Sequence, residues 1–298
     1  MDHGNGAVEP ARTLVQVAEL GRLLGEVTVL DVRWQLGRDD GYQQYLAGHV
    51  PTARYVDLAT DLAEPRNPAH PPGPQGRHPL PDPERFAAAM RRCGVSRGRP
   101  VVVYDDWSSM AATRAWWLLR FHGHRNVRVL DGGWGWWRRE GGAVETGPAR
   151  AGLGGFDADP GHLPVLDADG AARTARSGVL IDARAPERYR GETEPVDPVA
   201  GHVPGAVNVP TAANLSDGRF RPVPELAEVY RATRPRADGT PRPVGVYCGS
   251  GVTATHDLLA LHLLGREAVL YPASWSGWVS DPDRPVERDE TNLTKPRG

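Results

Sequence analysis

The stretch VYCGSGVTAT, residues 246–255, holds one of only two cysteines in a chain of 298 residues. Cys248 follows a short apolar run ending at Tyr247 and precedes a helical pattern that begins at Thr253 or Ala254. Such a thiol sits at the carboxyl edge of a strand, where open α/β sheets bind ligands. Gly249 and Gly251 open backbone conformations closed to other residues, so the loop can turn several N–H groups inward as a nest. With the helix N-terminus behind it, that nest favours a thiolate over a thiol, and it suits the anionic outer sulfur of a persulfide equally well. Ser250 and Thr253 add hydroxyl donors. The competing reading is a buried, inert thiol, the ordinary fate of a free cysteine. Cys93, near a helix end in MRRCGV, has nothing around it to shape an anion site and fits that inert role.

Three other chemistries can be read from the same loop. GSGVTA (249–254) matches the G-x-G-x-x-A dinucleotide fingerprint, but it falls late in the chain and no acid follows the next strand to hold a ribose. A cysteine phosphatase needs an arginine six residues after the nucleophile, and Ala254 stands there, which leaves a phosphate without its bidentate partner. A cysteine–histidine hydrolase needs a base in reach. His256 lies on the helix, where a surface or packing role is expected.

The elements that must hold this loop occur twice. VLDVRW (29–34) is echoed by LIDARA (180–185), GHVPTARYV (48–56) by GHVPGAVNV (201–209), VVVYDD (101–106) by VGVYCG (244–249), and LDGGWGWW (130–137) by YPASWSGW (271–278). Four ordered echoes at nearly constant offset are the mark of an internal repeat. Between the copies, residues 141–164 are rich in Gly, Pro and Ala and read as a linker. The expected domains are residues 1–150 and 160–298. In each copy, β-branched runs (VVVY, VRVL, GVLID, AVLY) alternate with helical segments (PERFAAAMRRCG, AATRAWWLLRFHG, ATHDLLALHLLG), each of which stops at Gly. The expected fold class is α/β, with two tandem domains, each a mainly parallel sheet flanked by helices.

Composition narrows the function. A net charge of -2 with mixed signs offers no field for a polyanion, so nucleic acid is not an expected partner. Six of the nine tryptophans fall between 107 and 137, and without an electropositive groove they read as core and interface rather than as a stacking platform. Two cysteines cannot fill a structural zinc site or make a disulfide framework, so neither metal nor cofactor is expected. The N-terminal MDHGNGAVEP lacks the pattern of a signal peptide, and no apolar run reaches membrane-span length. These features lead to an expectation of a cytoplasmic chain with no membrane partner.

The tandem copies, the two D-x-R…GHVP units, the CGSGVTA loop and the closing SWSGW together resemble the two-domain rhodanese-type sulfurtransferases, and the likeness covers nearly the whole chain. CGSGVTA is most similar to the 3-mercaptopyruvate branch; the thiosulfate branch carries basic residues where this chain has Gly249 and Ser250. The resemblance implies a catalytic second domain and a degenerate first one, in which Asp105 takes the place of Cys248. It implies a ping-pong reaction: Cys248 takes sulfur from a small donor, 3-mercaptopyruvate before thiosulfate, and passes it to cyanide or a thiol acceptor such as thioredoxin. The loop residues Gly249, Ser250, Gly251, Val252 and Thr253 would surround the substrate. Of the two arginines that clamp a substrate carboxylate in that branch, Arg188 matches the first. Asp197 stands at the second, where it is expected to repel the substrate unless Arg190 compensates. His78 in GRHPLP matches the histidine behind the active-site serine, while its acid partner's place holds Ala59, with Asp57 nearby. A non-catalytic binding or sulfide-sensing module is the alternative from another class, and it has no need of an activated thiol.

Two further pairs are expected to be structural. His49 and His202, in the GHVP turns, are placed to hydrogen-bond backbone. Asp31 with Arg33 and Asp182 with Arg184 are expected to form ion pairs that brace strand ends.

Overall fold

The computed structural model describes residues 12–67, 69–149 and 152–289. The N-terminal segment read for a leader lies outside them. The first half runs β1 (Leu14–Val15), α1 (Val17–Leu23), β2 (Thr28–Asp31), α2 (Gly41–Ala47), β3 (Arg54–Tyr55), α3 (Leu58–Asp61), α4 (Pro83–Arg92), β4 (Val101–Tyr104), α5 (Ala112–Phe121), β5 (Val127–Leu130) and α6 (Gly133–Arg139). The second runs α7 (Ala168–Ser177), β6 (Val179–Asp182), α8 (Pro186–Arg190), β7 (Val207–Asn208), β8 (Leu215–Ser216), β9 (Arg219–Phe220), α9 (Val223–Val229), β10 (Val244–Tyr247), α10 (Ala254–Leu263), β11 (Val269–Leu270) and α11 (Ser274–Trp278).

Both main sheets are parallel. The first has the order β1-β5-β4-β2-β3 and the second β11-β10-β6-β7, with Val165 bridging Leu270 where the first copy has a whole strand. The central strands β4 and β10 are buried along their full length, so they carry continuous apolar runs with no alternation. One apolar cluster runs from Phe86 and Val103 through Trp116 and Leu119 into Leu259, Leu261 and Val246, crossing from one sheet to the other. Each outer face has its own cluster, around Trp134 and Trp137 in the first domain and around Trp275 and Trp278 in the second. The tryptophans are therefore packing residues.

The domains meet along α5 and α10. Their middle residues are buried all round, and the hydroxyl oxygens of Thr113 and Thr255 lie 3.0 Å apart. The antiparallel hairpin β8–β9 reaches from the second domain onto α6: Trp136 Nε1 donates to the Asp217 carbonyl at 2.8 Å, and the Arg219 guanidinium lies 3.6 Å over the Trp136 ring. Among its described residues the linker has no helix or strand, but it is tied down. Phe156 enters the core, and Glu145 bridges to His49. Among the described residues, no helix is long and apolar enough to cross a membrane.

The repeated motifs land at equivalent points. Arg33 donates to Asp31 at 3.1 Å and Arg184 to Asp182 at 2.6 Å, so both expected ion pairs form, fully buried. His49 and His202 each turn Nδ1 to a backbone carbonyl, of Tyr45 and Tyr189, and stack on the same tyrosine's ring. They are turn residues, far from free imidazoles.

Candidate active site

Cys248 is the first residue after β10 and is buried. Its backbone is pinned from α11: its own N–H donates to Ser274 Oγ at 3.1 Å, and its carbonyl accepts Trp275 N–H at 3.0 Å. Gly249 O likewise accepts Ser276 N–H at 2.9 Å. The loop then doubles back, and Gly251 N–H donates to Cys248 Sγ at 3.2 Å. Only glycine allows this. Gly251 has φ +77°, and a Cβ there would lie 2.2 Å from the Pro272 carbonyl. Val252 is buried beneath the loop, and its carbonyl accepts the Thr255 hydroxyl at 2.7 Å. Thr253 stands at the N-cap position of α10 but makes no side-chain cap, so the helix's leading N–H groups are not spent on it.

Two guanidiniums close over the next residue. A Cβ on Gly249 would lie 3.4 Å from Arg77 Nη2 and 3.5 Å from Arg188 Nη1. Arg188 is the expected clamp residue. Arg77 comes from the first domain and was not foreseen; the one available signal was its place directly before His78 in GRHPLP. Asp197 does not act as the free repulsive charge expected of it. Its side chain is buried, accepts Arg77 Nη1 at 2.7 Å, and lies 3.4 Å from Arg188 Nη2. Glu194 completes the arrangement, accepting from Arg188 Nη2 at 2.6 Å and from Nε at 3.1 Å. The carboxylates thus aim both guanidiniums, and among the described residues Arg188 Nη1 donates to no protein acceptor. Arg190 is not part of this: it lies at the surface, paired with Glu192 at 2.8 Å.

On the other side of the sulfur, Ser250 Oγ lies 2.8 Å from His78 Nδ1. Burial, and then the nearby charges of Arg114, Arg77 and Arg66, pull His78 down to about 3, so the imidazole is neutral and Nδ1 can accept a hydrogen bond from the Ser250 hydroxyl. Asp57 does not back it. That carboxylate caps α3, accepting from Ala59 and Thr60 N–H at 2.8 and 3.0 Å. Trp34 packs edge-on to His78 instead. His256 is fully buried rather than exposed, with Nε2–H donating to the Ser108 carbonyl and Nδ1 accepting from Asn214. Both nitrogens are occupied, so it is no base for Cys248. Cys93 is buried, and burial pushes its thiol up to about 12.

The first copy of the loop is filled from within. Asp105 stands one residue past β4, fully buried. Its Oδ1 accepts Trp107 and Ser109 N–H, both at 2.8 Å, and its Oδ2 accepts Ala111 and Ala112 N–H at 2.7 and 2.8 Å. Burial pushes this carboxyl above its ordinary range, and the four amides pull against that. Here the nest holds an anion that belongs to the chain itself. Among the described residues no cluster of His, Cys, Asp and Glu could hold a metal ion.

Two parallel-sheet domains, each with a nest loop after its central strand, and a loop cysteine in the second are the arrangement of the rhodanese fold. Its model, the rhodanese-like domain, matches this chain twice, at residues 16–140 and 167–281, and the chain belongs to that family. The "Putative thiosulfate sulfurtransferase SseB" of Mycobacterium tuberculosis is 44% identical over 93% of this chain and 97% of its own length. The "Probable 3-mercaptopyruvate sulfurtransferase" of Pseudomonas aeruginosa is 42% identical over 92% and 97%. The crystal structure of SseA from Escherichia coli, described as a 3-mercaptopyruvate sulfotransferase, superposes with a TM-score of 0.75 at 32% identity, covering 88% of this chain and 98% of that one.

Proposed function

We propose that this chain is a sulfurtransferase that carries sulfane sulfur on Cys248, with 3-mercaptopyruvate as the favoured donor. The observation that carries the reading is a Sγ held under the Gly251 amide, with two guanidiniums closing over the neighbouring Gly249. In the first half-reaction the Cys248 thiolate attacks the donor's thiol sulfur. The carbon–sulfur bond breaks, its electron pair goes to carbon, and the sulfur's proton ends on that carbon, leaving pyruvate and a Cys248 persulfide. The Ser250 hydroxyl, oriented by its hydrogen bond to the neutral His78, is the group placed to hand that proton on. Arg188 and Arg77 hold the donor's carboxylate, the planar anion that guanidiniums grip best. In the second half-reaction an acceptor thiolate or cyanide attacks the outer sulfur, the S–S bond breaks, and the Cys248 thiolate leaves.

Thiosulfate is the second reading, because its oxygens present the same charge to the two arginines, with sulfite as the leaving group. A thioredoxin-type or small thiol is the proposed acceptor, and the cytoplasm is the proposed location, where a catalytic thiol stays reduced. The test is direct. The purified chain is incubated with each donor alone and weighed intact. Gain of one sulfur atom, absent in Cys248→Ser, supports the proposal; no gain with either donor removes it. The ratio of kcat/KM for the two donors then decides between them.

A further inference from the structure

The described residues include three buried arginines, and two of them, Arg33 and Arg184, face a buried aspartate. The third, Arg114 on α5 of the first domain, has no carboxylate among the described residues. Its guanidinium donates only to main-chain carbonyls: Gly251 at 3.0 Å, His78 at 3.2 Å, and Leu62 and Pro79 both at 3.3 Å. Carbonyls satisfy its N–H groups but not its charge, and an uncompensated ion in the interior is costly. We propose that Arg114 is the buried counter-charge of the Cys248 anion, a positioning residue from the first domain that holds the nucleophile, free or sulfur-loaded, in its negative form.

Gly251 joins the two groups. Its N–H points at Sγ and its carbonyl at Arg114, so the same residue that cradles the sulfur is held in place by the guanidinium. The remaining groups facing the loop do not supply this charge. Arg77 and Arg188 are matched by Asp197 and Glu194. His78 is neutral, Ser250 and Ser274 are uncharged, and His256 on α10 is neutral and tied to Ser108 and Asn214. Asp257 lies in the same helix but forms no ion pair with Arg114, and burial, which disfavours its charged form, raises its carboxyl well above the ordinary range. Burial draws Arg114 itself down to about 10, and the one opposing influence on it is Cys248. Thiolate and persulfide both carry a single negative charge, so one fixed cation serves both halves of the cycle.

The test uses the full chain and needs no sulfur donor, so it stands apart from whether the protein transfers sulfur. The rate at which iodoacetamide alkylates Cys248, located by peptide mass, is measured from pH 5 to 10 for the wild type, Arg114→Gln and Arg114→Lys. With the fold checked by circular dichroism, Arg114→Gln is expected to react about tenfold more slowly at pH 7 and to approach the wild-type rate at pH 10, and Arg114→Lys to recover most of the loss. A folded Arg114→Gln with the wild-type pH profile, or a Lys variant no better than Gln, overturns the proposal. If Arg114→Gln does not fold, Cys248→Ser answers the question from the other side. Its melting temperature should fall further below the wild type at pH 9 than at pH 5, and a deficit equal at both overturns the assignment.

Discussion

Asp105 and Cys248 occupy the same point of the two domains: each is the first residue after its central strand, and each carbonyl accepts the N–H of the equivalent tryptophan, Trp134 at 2.8 Å and Trp275 at 3.0 Å. What differs is the side chain's use of the nest. The carboxylate takes up four main-chain N–H groups, whereas the sulfur receives one.

Asp105→Ala should therefore not be silent. It strands four buried donors, and unsatisfied buried donors cost about 1–3 kcal/mol each before any relaxation. We expect urea unfolding to show a loss of roughly 3 kcal/mol or more, with Asp105→Asn between the two. Sulfur uptake per folded molecule should persist in the Asn variant. A stability loss below about 1 kcal/mol for Ala would mean that the amides find other partners.

Gly251→Ala places a methyl group on the Pro272 carbonyl at a backbone angle that side chains avoid. The expected outcome is destabilisation of about 2 kcal/mol or more together with loss of Cys248 alkylation by iodoacetamide at neutral pH. An Ala variant that melts and reacts like the wild type would show that the loop does not need this turn.

Arg188→Ala should reduce kcat/KM for 3-mercaptopyruvate by about a hundredfold and for thiosulfate by less, because a carboxylate loses a bidentate partner. Arg77→Ala should act in the same direction through KM. Arg190→Ala should change neither, since its partner is Glu192 at the surface. Equal losses with both donors in the first variant would remove the carboxylate-clamp role.

Asp257 sits fully buried in α10, hydrogen-bonded by Asn214 at 2.8 Å and facing no cation. Burial raises its carboxyl well above the ordinary 3.8. The folded chain thus keeps a proton that the unfolded chain gives up as pH rises through about 4, and stability falls as pH climbs through that window. Asp257→Asn has no proton to release. Its melting temperature should exceed the wild type's at pH 7 and converge with it near pH 4; a variant less stable at pH 7 would contradict this.

Much of the architecture is legible in the sequence because it is local and repeated. The runs VVVY and VGVY are the two central strands residue for residue, and the glycine stops after Arg92, Phe121 and Leu263 fall within a residue or two of the helix ends. The cradle around Cys248 could be read from its own loop, since Gly251 makes the turn that the sequence suggests. What escaped was built across the domain boundary. Arg77 meets Asp197, and Arg114 meets Gly251, over more than a hundred residues of chain, and no local spacing encodes such meetings. A trace of Arg114 was present all the same: it is a lone charge within AATRAWW, at the start of a helix whose next five residues are all buried. The setting of Asp197 escaped for the same reason, because its carboxylate pairs with an arginine from the other half of the chain. The two-residue strands β1 and β3 are too short to leave a periodic signal.

The connection after β4 spans residues 105–111, one longer than the 248–253 connection after β10, and its amides have closed around a carboxylate. A cysteine introduced at residue 105 would therefore inherit a ring shaped for a different guest and a backbone one residue longer than that around Cys248. The first copy's cradle is thus already full, and the length of its loop as well as its aspartate keeps it from matching the second.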